Sequence, residues 1–391
     1  MRVLWISECP WNATGFGKVT YYITRELRKH GIDVVTACFA TTAIINYDGV
    51  QVYPYGNPFI KFVEHVEKRE GEIDTIVLFG SPWIKPLANI VEQVQLLKRV
   101  NKEKRVIGYF VHEALHIPRS TRNMFKQVHL LAVPTSYTAK VLGIERYHVV
   151  PHGVEPSIWR PDICRGCRGT NLVGMIAKNH PRKRWDLYFE AIARAIKMGN
   201  IVIAYPYVFS ERYWVIANII ETIEERFNVK IPMVKPFDYE VFFGLPEEEQ
   251  ARLLSMLKVH MLVSMGEAWG LPITETLALG IPNITTRYGA VEEWCKDYCI
   301  YVEPKGVYYS IDGMVHPVPS AEDVALKLHE VLNNYDKYAK QAKLASDYIR
   351  RELTWEKAGK EMIRAIEESF NYDDLIIEEE LGYIMKPKVI E

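Results

Sequence analysis

The sequence predicts an α/β protein made of two doubly wound, Rossmann-like domains that face each other across a cleft. Two observations support this. Short apolar runs alternate with amphipathic helical segments in two series along the 391 residues, and a stretch rich in proline and glycine separates the series. Apolar runs without polar alternation are typical of parallel strands buried on both faces. A chain of this length also exceeds what one hydrophobic core usually supports.

The first series predicts an N-terminal domain over residues 1–155. Its strands are expected at Val3–Ser7, Ile32–Phe39, Thr75–Phe79, Arg105–Val111, Leu130–Pro134 and His148–Val150. An amphipathic helix from about Lys18 to Lys29 follows the first strand. Residues 156–170 contain prolines and glycines without periodicity, so they are predicted to form a linker.

The second series predicts a C-terminal domain over residues 171–354. Its strands are expected at Asn171–Ala177, Ile201–Tyr205, Met261–Ser264 and Pro282–Thr286, and helices at Ala321–Asn333 and Tyr335–Glu352. A last helix begins at Trp355, and an acidic tail follows it to residue 391. Ligands of such sheets bind at the carboxyl ends of the strands, which here should face the cleft.

Composition excludes some classes of protein. Hydrophobic residues make up 48% and charged residues 25% of the chain, which is typical of a folded domain, and the net charge of −1 gives no basic excess for nucleic acid. The first apolar run is too short for a signal peptide, and no run approaches the ~20 residues of a membrane span. A cytoplasmic protein is therefore expected.

Six cysteines allow several arrangements. They are Cys9, Cys38, Cys164, Cys167, Cys295 and Cys299. The last two pairs could form a zinc knuckle or two disulfides, but separate reduced thiols are favoured because the pairs lie far apart in sequence. A local disulfide between Cys164 and Cys167 is the main exception, for a protein from a hyperthermophile.

The most informative stretch runs from Ser264 to Pro282. A strand ends near Ser264, a loop of small residues follows, and a helix begins near Pro272 and ends at Gly280. Gly270 permits close backbone approach, and the N–H groups of the helix N-terminus suit a phosphate. Two carboxylates, Glu267 and Glu275, then need a role. A purely structural alternative is that Glu275 complements the helix dipole and Glu267 caps the helix.

Two further loops fit an anion site. Lys178, Arg182, Lys183 and Arg184 lie within seven residues at the end of a predicted strand, where cations would stabilise the charge that develops on a departing diphosphate. A loop containing Gly15 and Gly17 follows the first strand. It could also belong to a nicotinamide site, but the third glycine and the acidic residue of that fingerprint are missing.

The segment from Tyr109 to Pro118 contains His112, Glu113 and His116 in a literal His-Glu-x-x-His arrangement. Zinc peptidases need both histidines on one uninterrupted helix. Here a β-rich run leads directly into His112, and Pro118 follows His116 by two residues. The zinc interpretation is therefore the weaker one.

The stretch from Ser264 to Pro282 resembles the signature of a large family of retaining glycosyltransferases with the GT-B fold, the family-four type, in which seven residues separate two glutamates. The resemblance implies that Glu275 binds the donor ribose and that Glu267 acts beside the transferred sugar. Ala268 and Trp269 replace the glycine and phenylalanine that are usual there. The resemblance runs from about residue 1 to 370 and implies that the helix at Trp355 crosses back to the first domain.

The same resemblance assigns the other site residues. Lys183 matches the family's catalytic lysine, while Lys178 stands where arginine is usual and Arg182 is the alternative. His112 would line the cleft near the transferred sugar, with Glu113 as its alternative. The remaining donor-binding residues would be Gly270, Leu271, Pro272, Gly15 and Gly17.

The expected activity is transfer of a sugar, with retention of anomeric configuration, from a UDP- or GDP-sugar to an unidentified acceptor hydroxyl. No cofactor is expected, and no metal either, because the sequence has no Asp-x-Asp pair for one. Two alternatives remain: a nonenzymatic sugar- or nucleotide-binding protein, and a zinc hydrolase using His112 and His116. Arg119, Arg122 and Lys126 form a candidate contact with an anionic membrane, or simply a solvated helix face.

Overall fold

A computed structural model describes residues 1–168, 171–209, 213–234 and 245–372. The predicted acidic tail lies outside the described residues. Two parallel sheets form the body of the protein, with helices packed against them. The fold class predicted from the sequence is therefore confirmed.

The first sheet has eight strands in the order β3-β4-β2-β1-β5-β6-β7-β8. All neighbours are parallel except β3 and β4, which form an edge pair that the sequence did not reveal. The strands are β1 (Arg2–Ser7), β2 (Asp33–Cys38), β3 (Ile45–Tyr47), β4 (Val50–Pro54), β5 (Thr75–Gly80), β6 (Arg105–Phe110), β7 (Leu130–Val133) and β8 (Tyr147–Val149). Its helices are α1 (Gly15–Lys29), α2 (Phe59–Glu70), α3 (Leu87–Val100), α4 (Arg119–Phe125) and α5 (Ser136–Leu142).

The second sheet has five parallel strands in the order β10-β9-β11-β12-β13. They are β9 (Leu172–Lys178), β10 (Ile203–Phe209), β11 (Val259–Leu262), β12 (Asn283–Thr286) and β13 (Ile300–Val302). The helices that follow β9 along the chain are α6 (Trp185–Lys197), α7 (Ile216–Phe227), α8 (Glu247–Leu254), α9 (Leu271–Ala278), α10 (Gly289–Cys295), α11 (Ala321–Asn333), α12 (Tyr335–Glu352) and α13 (Trp355–Ser369).

A separate antiparallel hairpin follows the second sheet. Its strands are β14 (Pro304–Tyr309) and β15 (Val315–Pro319). The hairpin reaches the first sheet's half of the molecule: Val315 pairs with His116, and Met314 is buried in the apolar cluster beneath the first sheet. The patterns described above did not predict this hairpin.

The chain passes between the two halves twice, and the two passes are hydrogen-bonded to each other. Val154 N–H donates to the Leu353 carbonyl at 2.9 Å, and Trp355 N–H donates to the Val154 carbonyl at 3.3 Å. A side chain at Gly153 would overlap the Thr354 backbone, so glycine permits this approach. Beyond this pairing, α13 packs on α1, with the Trp355 ring stacked 5.0 Å from that of Tyr22.

All six cysteines are paired, which corrects the expectation of separate thiols. The bonds are Cys9–Cys38, Cys164–Cys167 and Cys295–Cys299. The first joins the loop after β1 to the end of β2. These strands are neighbours in register, so residues distant in sequence meet at the same sheet edge.

Candidate active site

The loop after β11 and the start of α9 form the centre of the candidate site. Gly270 occupies the N-cap of α9 with φ +89°, a left-handed conformation that favours glycine, and Pro272 stands in the first turn. A side chain at Gly266 would overlap the Glu113 carbonyl, so this loop lies directly against the segment after β6. The two halves of the molecule therefore meet at this loop.

Both purely structural roles considered for the glutamates are wrong. The N-cap of α9 has no side-chain hydrogen bond, so Glu267 does not cap the helix. No acidic residue lies in the first turn of α9, since Glu275 is the fifth helical residue. Both carboxylates are instead buried, with 8% of Glu267 and 3% of Glu275 exposed. Buried carboxylates require charge partners.

Glu267 is paired with the cations of the loop after β9. Its Oε1 atom forms an ion pair with Lys183 Nζ and lies 3.7 Å from the Arg182 guanidinium. Burial alone would raise the pKa of Glu267, but Lys183 and Arg182 hold the pKa below its usual range. Burial lowers the pKa of Lys183, and Glu267 opposes that effect. Glu267 is therefore ionised, and Lys183 and Arg182 balance its charge.

Arg182 connects three loops. Its guanidinium lies 3.1 Å from Glu113 Oε1 after β6 and donates to the Gly266 carbonyl after β11. Burial lowers the pKa of Arg182, but the carboxylates of Glu113 and Glu267 more than offset this, and the pKa is raised. Two cations and two carboxylates thus balance in this group. We call Arg182, Lys183, Glu113 and Glu267 the balanced cluster.

Glu275 is paired with a lysine from the other half of the molecule. Lys18 Nζ, on α1, forms an ion pair with Glu275 and lies 3.4 Å from Glu247 Oε1 on α8. Glu247 also accepts hydrogen bonds from the Tyr22 hydroxyl and the Trp159 indole. We call Lys18, Glu247 and Glu275 the acidic cluster, because two carboxylates share one ammonium.

The surplus carboxylate of the acidic cluster changes its titration. Burial raises the pKa of Glu275, Lys18 opposes this, and Glu247 raises the pKa further, to about 7. Burial also raises the pKa of Glu247, but Lys18 and the hydrogen bonds from Tyr22 and Trp159 bring it below its usual value. Burial lowers the pKa of Lys18, and the two carboxylates reverse this and raise it. Glu275 is therefore the carboxylate of the acidic cluster that takes up a proton first as the pH falls.

Comparisons with known proteins agree with this geometry. The family model described as "Glycosyl transferases group 1" matches residues 238–347, which include both glutamates. An MMP alpha-(1->4)-mannosyltransferase of Mycolicibacterium hassiacum is 24% identical over 281 residues, covering 68% of this chain and 56% of that protein. The chain thus spans little more than half the length of this relative.

Solved structures share the fold along almost the whole chain. A glycosyltransferase of Rickettsia africae superposes with a TM-score of 0.71 at 14% identity, over 94% of this chain and 98% of that one. Sucrose-phosphate synthase of Thermosynechococcus elongatus gives 0.70 at 12% identity, over 95% and 99%. Anabaena HepE in complex with UDP-glucose gives 0.69 at 12% identity, over 94% and 100%.

Residues 238–347 thus match a glycosyltransferase family model, and the chain has the GT-B fold of these solved structures. In this fold the predicted loops touch one another across the two halves. A side chain at Gly15, the first residue of α1, would lie 3.7 Å from Leu271 Cδ1 at the start of α9. Gly17 has a local role, because a side chain there would overlap the Asn12 carbonyl of its own loop. Gly15 and Leu271 thus bring the N-termini of α1 and α9 close together, while Pro272 stands in the first turn of α9.

His112 lies beside the balanced cluster but is fully buried. Its Nε2 atom is 2.9 Å from the Ala114 carbonyl, and its Nδ1 atom is buried without a hydrogen-bond partner among the described residues. Burial lowers its pKa to about 4, so the ring is neutral near pH 7. Its alternative, Glu113, is the residue that contacts the cations, through Arg182.

The zinc interpretation loses its geometric basis. Residues 111–118 form no helix: His112 follows β6, and His116 pairs with Val315 of the hairpin. Among the described residues, no group of three or more His, Cys, Asp or Glu side chains could hold a metal ion. The described part of the chain likewise contains no helix of the length and apolarity that a membrane crossing requires.

Lys178 stays apart from both clusters. It is the last residue of β9 and is exposed, and its backbone carbonyl accepts a hydrogen bond from the Trp185 indole. Arg182, the alternative considered for the same role, is the cation that contacts Glu267. The structure therefore favours Arg182 over Lys178 as the partner of Lys183.

Sequence reasoning missed the members of the acidic cluster other than Glu275. Lys18 stands next to Gly17, so its position after the glycine loop was a signal for the site. Glu247 opens a run of three glutamates at the start of α8, and such runs usually indicate a solvated helix N-terminus. Nothing in the local sequence distinguishes Glu247 from its exposed neighbours.

Proposed function

We propose that this protein transfers a sugar from a nucleotide diphosphate donor to an acceptor hydroxyl, with retention of configuration and without a metal ion. The observation that carries the proposal is the placement of Glu267 and Glu275. They lie eight positions apart, each buried against cations, where loops of both halves meet. The matched family and the UDP-glucose complex of HepE support a nucleotide-sugar donor.

The donor would enter by replacing ion pairs that already exist. Glu275 is buried against Lys18, and a ribose that donates its hydroxyls to Glu275 would displace that lysine. The freed ammonium, at the N-terminus of α1, would then be available to the diphosphate, together with the N–H groups of α9. Donor binding would thus exchange a carboxylate partner for a phosphate partner on Lys18.

The balanced cluster would stabilise the reaction itself. The acceptor oxygen forms a bond to the anomeric carbon, while the bond from that carbon to the diphosphate oxygen breaks on the same face. The acceptor's proton passes to the departing diphosphate. Negative charge grows on the leaving oxygen, which Lys183 and Arg182 would stabilise, and positive charge grows on the sugar, which Glu267 would stabilise.

A direct test uses the purified full chain and a panel of UDP-, GDP- and ADP-sugars. We expect one class to raise the melting temperature and to release nucleoside diphosphate when acceptor or water is present. Binding without any turnover would favour the nonenzymatic alternative. Absence of both would overturn the proposal.

Retention and metal independence need separate measurements. The anomeric configuration of the product, read by NMR, should equal that of the donor, and inversion would overturn this part. Turnover should persist in excess chelator, and its loss with recovery on adding a divalent ion would overturn metal independence. The cytoplasmic location and the domain boundaries expected from the sequence remain predictions.

A further inference from the structure

The hairpin β14–β15 carries an exposed apolar surface. Val307 is 56%, Tyr309 69% and Ile311 106% exposed. Val307 and Tyr309 lie two residues apart on one strand, so they share a face of the hairpin, and Ile311 stands in its turn. Leu115, 40% exposed, lies beside them because its N–H donates to the Val315 carbonyl at 2.7 Å. We call these four residues the hairpin surface.

The hairpin surface is held firmly by the rest of the molecule. Val315 forms backbone hydrogen bonds with both Leu115 and His116, and Met314 is buried with only 2% exposed. The apolar tip is therefore presented by a fixed element and does not result from a loose end. Large apolar side chains gathered at a fixed exposed position commonly mark an interaction site.

Cations border the hairpin surface. The turn residue Gly313 lies against Pro118, since a side chain there would be 3.4 Å from Pro118 Cγ, and Arg119 follows directly as the exposed first residue of α4. Arg122 lies on the same helix, and Lys126 is its C-cap residue. We call these three residues the cations of α4. Within the described part of the chain, none of these three cations forms an ion pair with a carboxylate. Arg119 is exposed and Lys126 half-buried, so both can reach an external anion, whereas the Nε atom of Arg122 is buried.

The nearby acidic groups leave this balance positive. Asp312 in the turn accepts a hydrogen bond from the Ser310 hydroxyl. Asp323 on α11 is paired with Lys305 of the hairpin at 2.7 Å. Asp312 is therefore the acidic residue of the turn, set against the three cations of α4.

We propose that the hairpin surface and the cations of α4 bind a membrane that contains anionic lipids. Apolar and tyrosine side chains at a protruding tip enter the interfacial region, while adjacent arginine and lysine side chains meet the lipid phosphates. A soluble partner protein would not by itself require this pairing of an apolar tip with unpaired cations. The segment between β6 and α4 bears both Leu115 of the hairpin surface and Glu113. Glu113 contacts Arg182, so the membrane would lie next to the candidate site.

The test is sedimentation of the full chain with vesicles of phosphatidylcholine, alone or mixed with phosphatidylglycerol. We expect binding to the mixed vesicles that weakens as salt increases. The double variant Tyr309→Ser/Ile311→Ser should lose about tenfold or more in vesicle affinity. Arg119→Gln should lose about fivefold, the equivalent of about 1 kcal/mol for one cation.

A matched control comes from the opposite edge of the second sheet. Ile201 is 75% exposed and precedes the amino end of β10, so Ile201→Ser removes a similar apolar group away from the hairpin. It should bind vesicles as the wild type does. Equal loss in the control, or none in the hairpin variants, would overturn the proposal. So would absence of wild-type binding, or equal binding to both vesicle types.

Two outcomes separate this proposal from others. If the wild type self-associates in sedimentation velocity and Ile311→Ser abolishes that association without affecting vesicles, the hairpin is an interface between copies, and the membrane proposal fails. Donor-induced thermal stabilisation without vesicles should be the same in wild type and hairpin variants. Failure of the glycosyltransferase proposal would appear in that second measurement, independently of vesicle binding.

Discussion

The two ionic clusters at the meeting of the halves are built differently. The balanced cluster matches Glu113 and Glu267 with Arg182 and Lys183, whereas the acidic cluster gives Glu247 and Glu275 only Lys18. As a result the pKa of Glu267 is lowered, while that of Glu275 rises to about 7. Glu267 is therefore ionised near pH 7, whereas Glu275 gains or loses a proton in that range.

The largest effect is expected at the balanced cluster. Lys183→Met removes the cation closest to Glu267, and with it the stabilisation of charge on the departing diphosphate. We expect kcat/KM to fall by about 10²–10³-fold. Steady-state kinetics with the donor identified by the panel measures this effect.

The matched control is Lys230→Met, an exposed lysine on the surface of the second half that is paired with Glu224. It should leave kcat/KM unchanged. Wild-type kinetics in the Lys183 variant would remove Lys183 from the reaction.

The next effect is expected at Glu275. Glu275→Gln keeps the shape of the side chain but removes the charge that holds Lys18 and that would accept the ribose hydroxyls. Donor affinity should fall about tenfold, as for a hydrogen bond to a charged group of about 1.5 kcal/mol. Calorimetry with the nucleoside diphosphate alone isolates this interaction, and unchanged affinity would contradict the assigned role.

Removing Glu247, the surplus carboxylate of the acidic cluster, tests whether it raises the pKa of Glu275. The pKa of Glu275 is about 7, so the ionised form, and donor affinity with it, should increase as pH rises through 7. Glu247→Gln removes a charge that raises this pKa, and the limb of the pH profile should move to lower pH. The measurement is donor affinity against pH.

Glu248→Gln is the control for that shift, because Glu248 is the next residue of α8 and is exposed and paired with Arg252. Its profile should overlay that of the wild type. A profile unmoved by Glu247→Gln would show that the two carboxylates are not coupled.

The smallest effect concerns contact between the halves away from both clusters. Glu293 on α10 accepts hydrogen bonds from Ser136 N–H at 2.7 Å, from the Ser136 hydroxyl at 2.7 Å and from Tyr137 N–H at 2.9 Å, and so caps α5 of the other half. Loss of a helix cap costs about 1 kcal/mol. Glu293→Ala should therefore raise KM severalfold and leave kcat nearly unchanged.

Glu292→Ala, on the same helix but paired with Arg287, is its control and should leave KM unchanged. If kcat fell instead of KM rising in the Glu293 variant, the cap would have a different role from joining the halves.

Local signals in the sequence were sufficient for the strands and for the central motif. Apolar runs without alternation identified parallel strands, and the sequence Gly270, Pro272, Gly280 marked the start and end of α9. The structure has that helix at Leu271–Ala278. These features depend on neighbours in sequence, which is why a single sequence reveals them.

Features that depend on distant residues were missed. Lys18 and Glu275 are 257 positions apart, and only the packing of one half on the other brings them together. Cys9 and Cys38 meet because β1 and β2 are adjacent, a fact that spacing does not contain. The tyrosines and the isoleucine of the hairpin β14–β15 are exposed. They form no buried apolar face, which is the signal from which a local pattern predicts a strand.

The paired crossings near Val154 and Trp355 have a mechanical consequence. Two separate crossings would let the halves slide and rotate freely. Two crossings that are hydrogen-bonded to each other act as a single hinge. Rotation about that hinge leaves both of the hydrogen bonds at Val154 intact, whereas sliding of one crossing along the other would break them. The gap between the halves should therefore open by a swing in one plane, which brings Lys18 back to the same place beside α9 each time it closes.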